Sequence, residues 1–126
     1  MRVRGALLAA LALGLAAPAS AAPGDMSAAA FLAKYDALRA KGMAALFSPD
    51  AKLLRAAATA AGQAVRAQRL ADKAAGRPVA ACPPAKSSLN AQQLVAHLKS
   101  YPADQRPRIT LKRAIADWSA KTYPCR

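Results

Sequence analysis

After residue 26, apolar residues recur at spacings of three and four in several stretches, the signature of helices with one buried face. Phe31, Leu32, Tyr35 and Leu38 mark a first helix from about Ser27 to Lys41, with Ser27 as its cap. Gly42 follows in the manner of a helix stop. Met43-Ala44-Ala45-Leu46-Phe47 then reads as an apolar connector, a turn of helix tucked into the core. A second, longer helix opens on Ser48, Pro49 and Asp50. These are a capping hydroxyl, a residue suited to the first helical position and a negative charge for the positive helix end. It is expected to run to Gly76, with Pro78 beyond it. Leu53, Leu54, Ala57, Ala58, Ala61, Ala64, Val65, Ala71 and Ala75 share one face of it.

Asn90, with Gln93 three positions later, predicts a capping box, and Leu89 and Leu94 stand in the staple positions around it. The third helix then turns Leu94, Val95, Leu98 and Tyr101 inward and ends at Pro102. Residues 102–108 are polar and turn-like. A fourth helix, from about Thr110 to Lys121, buries Leu111, Ala114, Ile115 and Trp118. No stretch alternates with period two, so no sheet is expected. The fold class is all-α, a single small bundle of about four helices.

The first 21 residues have a different pattern. Met1-Arg2-Val3-Arg4 is a short positive start, Gly5 to Ala17 is unbroken apolar sequence, and Pro18 ends it. Ala19-Ser20-Ala21 then offers small residues for cleavage. This is the plan of a secretory signal peptide at residues 1–21, cut between Ala21 and Ala22. The apolar run is well short of the ~20 residues needed to span a bilayer. The protein is therefore expected to be periplasmic or secreted, as a helical domain of residues 22–126 that opens on a short tail, Ala22 to Asp25. Its core is built mainly of Ala and Leu, with Phe31, Tyr35, Phe47, Tyr101, Trp118 and Tyr123 as the only large rings. Small side chains let helices pack toward the ~8 Å end of the usual range, but a domain of this size has a modest core. Two cysteines in an exported chain read as one disulfide. A Cys82–Cys125 bond closes a loop of about 44 residues, worth roughly 4 kcal/mol in the chain-entropy description.

Charge is one-sided. Without the signal, 17 Lys and Arg stand against six Asp and no Glu, a net charge of +11. Such a charge favours anionic partners. Outside the cytoplasm these are an acidic protein or an envelope polymer, and nucleic acid is not expected. Compositional bias toward Ala and Arg is the plain alternative. On the second helix, Lys52, Arg55, Arg66, Arg69 and Lys73 form a stripe roughly opposite the apolar face, and Leu70 lies beside it. The stripe reads either as a solvated face or as a partner contact made by Arg55, Arg66, Arg69, Leu70 and Lys73, an apolar anchor among charges. Catalytic chemistry is not visible. His97 is the only histidine, and it lies at the edge of an inward helix face. Asp117 is spaced four from both Arg113 and Lys121, as surface ion pairs are. There is no paired-carboxylate site and no glycine-rich phosphate loop. Two cysteines and one distant histidine do not suggest a metal. We expect no enzyme activity, no metal and no cofactor.

Cys82-Pro83-Pro84, the run Leu89 to Leu98 with Gln93-Leu94 inside it, Tyr101-Pro102 and Tyr123-Pro124-Cys125 follow one another at characteristic spacing. In these features, residues 81–125 resemble the Rap/Tai family of type VI secretion immunity proteins, which shares a general plan with the acid-stress chaperone HdeA. The further cysteines that family members carry in their first half have no counterpart here. The resemblance implies that Cys82 and Cys125 staple the third and fourth helices together. It also implies an exported, often dimeric helical protein that neutralises a cell-wall amidase by covering its active site; the resemblance places no toxin-contacting residue. Two other functions compete with this one. An acid-stress chaperone needs groups that titrate as pH falls, and one His with six Asp supplies few. A structural envelope protein would use the net charge to sit on anionic surfaces.

Overall fold

The computed structural model describes residues 22–126, so the export signal expected at residues 1–21 lies outside the described residues. The described residues form four main helices: α1 (Ala28–Ala40), α2 (Pro49–Ala74), α3 (Ala91–Ser100) and α4 (Leu111–Thr122). Two short 3-10 turns lie between helices, at Gly42–Phe47 and Arg106–Arg108, and a third, Pro23–Asp25, precedes α1. No strand occurs among the described residues, only two isolated bridges, Ser27 with Thr110 and Ala81 with Pro124. The fold is all-α and closed by one disulfide, Cys82–Cys125, as the pattern predicts.

Each helix starts where a side chain satisfies the orphan amides of its first turn. The Ala30 amide donates to Ser27 Oγ at 3.1 Å, that of Asp50 to Ser48 Oγ at 3.3 Å, and that of Arg113 to Thr110 Oγ1 at 3.1 Å. On α3 the capping box is complete: the Gln93 amide donates to Asn90 Oδ1 at 2.8 Å and the Asn90 amide to Gln93 Oε1 at 3.0 Å. The end of α2 falls two residues short of the expected Gly76, because Gly76 lies just past the helix as its left-handed closing residue, at φ +71°. The Gly76 amide donates to the Lys73 carbonyl and that of Arg77 to the Asp72 carbonyl, the paired bonds of a Schellman ending.

The core is one cluster. Leu98 and Leu111 are fully buried at its centre, ringed by Phe31, Leu32, Leu54, Leu94 and Ile115, with Ala57, Ala61 and Ala114 filling the close approaches. Short backbone pairings grip α4 at both ends. At its start, the Leu111 amide donates to the Met26 carbonyl at 2.9 Å and that of Ala28 to the Ile109 carbonyl at 2.7 Å. At its end, the Cys82 amide donates to the Tyr123 carbonyl at 2.8 Å, beside the disulfide.

Four expectations need correction. Residues 22–25 are not a tail: the Pro23–Asp25 turn packs on α2, Gly24 is buried, and Asp25 pairs with Lys112. A β-carbon on Gly24 would lie 3.1 Å from Ala61 Cα and 3.2 Å from its nitrogen, both backbone atoms that a rotamer change cannot move. Gly24→Ala is therefore expected to cost about 1 kcal/mol by overpacking, seen as a fall of roughly 4–8 °C in melting temperature. An unchanged thermal melt would contradict this packing.

The second correction is the Met43–Phe47 connector. It is a turn of helix, but not in the core: Met43, Leu46 and Phe47 are 78%, 69% and 89% exposed. A corner between two helices can turn only one edge inward, and here the small Ala45 takes it. The third concerns the apolar face of α2. Leu54, Ala57 and Ala61 are buried, but Ala64, Ala71 and Ala75 are exposed, Val65 is half-buried and Leu53 is 40% exposed. The reason is length. At 1.5 Å per residue α2 spans about 39 Å, against about 15–18 Å for α3 and α4, so its second half overhangs the bundle. Trp118, expected in the core, is half-buried beneath that overhang, edge-on to Tyr123 with ring centres 5.9 Å apart.

Candidate binding groove

The overhang creates a groove of about 750 Å3. One wall is the outer part of α2, carrying Arg66, Arg69, Leu70 and Lys73. Facing it is the segment Val79 to Leu89, which includes Cys82, Pro83 and Pro84. Leu94, Ile115 and Trp118 form the floor. Four of the five residues singled out as a contact stripe thus share this groove with one of the two cysteines. Arg55 is not among the lining residues: it stands about 16 Å before Arg66 along the helix. Lys52, also in the basic stripe, lies outside the lining as well.

The electrostatics of the groove are uniform. No acidic side chain lines it. Four ion pairs occur among the described residues, Lys34–Asp50, Arg77–Asp72, Lys112–Asp25 and Arg113–Asp117. None of them involves Arg66, Arg69 or Lys73. The nearest acid in sequence, Asp72, is already engaged: Arg77 Nε donates to it at 2.8 Å and Gln68 Nε2 at 2.9 Å. These bonds hold its carboxyl below the usual range, Arg77 contributing most. Asp72 belongs instead to a smaller neighbouring hollow of about 560 Å3, and Arg69, half-buried, stands on the ridge between the two. Leu70 is 53% exposed and gives the cationic wall an apolar contact. The groove therefore offers an apolar floor beneath three unpaired cations. That combination suits a segment presenting carboxylates beside an apolar anchor, since burial of the anchor excludes water from the charge contacts.

No family model, curated protein or solved structure matches this chain.

The far side of α3 and α4 holds a constellation that sequence reasoning missed. Tyr101 Oη donates to Asp117 Oδ2 at 2.7 Å and lies 3.1 Å from His97 Nε2, while Arg113 Nε donates to Asp117 at 3.0 Å. The spacing of four between His97 and Tyr101, which directly follows α3, was visible in the sequence; that Asp117 completes the set from α4 was not. Lys121, the other expected ion-pair partner of Asp117, forms no such pair. Burial and the bond to Asp117 push the Tyr101 phenol far above its ordinary range, so it stays protonated and remains the donor to Asp117. Neither hollow is lined by any of these residues. They act as a clasp between α3 and α4.

Burial also lowers the His97 pKa, opposed by the Ala114 carbonyl, with Lys121 lowering it further and Asp117 raising it. An unfolded histidine titrates near 6.5. The contribution of the neutral ring to stability is thus complete above about pH 6.5 and is lost as pH falls through the lower folded value. The melting temperature is expected to drop by a few degrees from about pH 7 to 5, a window in which no other side chain of ordinary pKa titrates. His97→Gln should flatten that slope and leave groove binding intact. A slope equally steep in the variant would contradict the assignment.

Proposed function

We propose that this protein is an exported binding protein with no reaction of its own, which holds an acidic, apolar-anchored segment of another protein in the groove between α2 and residues 79–89. The observation that carries this reading is the apolar floor set beneath unpaired Arg66, Arg69 and Lys73. Among the partners available outside the cytoplasm, we favour a cell-wall-degrading enzyme. The resemblance of residues 81–125 to Rap/Tai immunity proteins supports that choice, and blocking such an enzyme needs only a surface that covers its active site. A small, disulfide-closed domain is suited to the task, because a rigid surface loses little entropy on binding. The disulfide fits an oxidising compartment, and no helix among the described residues is long and apolar enough to cross a membrane.

The test is a peptidoglycan-hydrolysis assay with an exported hydrolase encoded beside this gene. Equimolar protein is expected to abolish hydrolysis, with affinity falling as salt rises. Undiminished hydrolysis at a large excess would reject the reading.

A further inference from the structure

The corner between α1 and α2 is the most exposed apolar feature of the described residues. Met43 and Leu46 lie three apart in a 3-10 turn, and residues so spaced eclipse one another along one edge. Phe47 follows directly, and Leu53 is part-exposed in the first turns of α2. Phe47 is one of only two phenylalanines in the chain, yet it is 89% exposed, while the core makes do with alanine. Contiguous exposed apolar side chains of this size mark a contact surface.

The surrounding charge indicates what makes that contact. Arg39, Lys41, Lys52 and Arg55 bracket the corner and all are exposed. Asp50 is the single acid from residue 39 to residue 55, and it is bonded to Lys34 at 3.3 Å. The result is an apolar tip inside a cationic collar. A second copy of the chain would set two such collars against each other, and like charges brought together across an interface oppose association. An anionic lipid surface meets both parts at once: apolar side chains enter the boundary between headgroups and acyl chains, and cations meet the phosphates.

We propose that the Gly42–Phe47 corner is a docking tip for anionic phospholipid bilayers, inserting Met43, Leu46 and Phe47 while Arg39, Lys41, Lys52 and Arg55 engage headgroups. Along α2 the groove runs from Ala58 to Lys73, about 16 to 39 Å from the tip. A bound protein would therefore still present the groove to a partner. The proposal does not depend on what occupies that groove.

The experiment uses protein purified from the periplasm of an expression host and sedimented with vesicles. One set is equimolar phosphatidylglycerol and phosphatidylcholine; the other is phosphatidylcholine alone. Binding is expected to the mixed vesicles and to be at least about tenfold weaker to the neutral ones, since each cation near an anionic surface contributes roughly fivefold. Replacing both Leu46→Ser and Phe47→Ser should lower partitioning to the mixed vesicles by about tenfold or more without changing the melting temperature. Phe47→Trp should retain binding and show a blue-shifted emission with the mixed vesicles. Equal binding by wild type and the double serine variant would overturn the proposal, because net charge alone would then explain attraction. So would a wild-type dimer in sedimentation equilibrium that the serine variant cannot form, which would assign the tip to a second copy.

Discussion

Reducing the Cys82–Cys125 bond is expected to lower the melting temperature by roughly 16–32 °C. The two residues are 43 positions apart, and closing a loop of that length removes about 4 kcal/mol of chain entropy from the unfolded state. Each kcal/mol shifts a domain of about 100 residues by roughly 4–8 °C. Little else compensates. The buried core contains one aromatic ring, that of Phe31, and is otherwise aliphatic with much alanine. Both half-cystines are exposed, so a mild reductant reaches them. The loss should extend to function. Residues 79–89 are tied to the end of α4 by the disulfide, the Ala81–Pro124 bridge and the Cys82 amide, and this segment is one wall of the groove. Scanning calorimetry with and without reductant measures the first effect, and the hydrolysis assay with pre-reduced protein at a temperature below its melt measures the second. A shift under about 5 °C would show that the core carries the fold without its staple.

Reversing the groove charge with Arg66→Glu and Arg69→Glu together is expected to weaken partner binding by about 100-fold or more, taking each lost charge contact at about 1.4 kcal/mol. The melting temperature should hold, because neither residue forms an ion pair and neither is in the core. The kinetics separate the two kinds of contact. Charge reversal should slow association and abolish its salt dependence, since steering acts before contact. Leu70→Ala should leave association unchanged and speed dissociation, because an apolar anchor acts only once docked. Arg108→Glu, an exposed cation outside the groove, serves as the control for net charge. Equal losses from Arg108→Glu and from the groove variants would reduce the stripe to an ordinary solvated face.

Helix boundaries and the disulfide were legible along the chain because their causes are local. Ser27, Ser48, Asn90 with Gln93, and Thr110 each satisfy amides two or three residues away, so the sequence around each cap contains the whole interaction. Gly76 and Arg77 likewise close α2 through amide bonds to the Lys73 and Asp72 carbonyls only a few residues back. With two cysteines there is a single intramolecular pairing to choose. The basic stripe was also readable, since the 100° step alone places Arg66, Arg69 and Lys73 together.

Tertiary structure decided the rest, and each case turns on a neighbour distant in sequence. Periodicity assigns an apolar face to α2 but cannot tell whether another helix is long enough to cover it, so the overhang and its groove emerge only when the short α3 and α4 are in place. Alanine conceals the difference further, being nearly indifferent between helix surface and core. Gly24 looks like tail sequence until α2 comes within 3.1 Å of where its side chain would stand. The His97–Tyr101 pair gains Asp117 only when α4 packs beside α3, and Phe47 is left in solvent because Ala45 fills the inward edge of the corner. Local bonding determines where a helix starts and stops; which of its faces meets protein depends on the length and position of what packs against it.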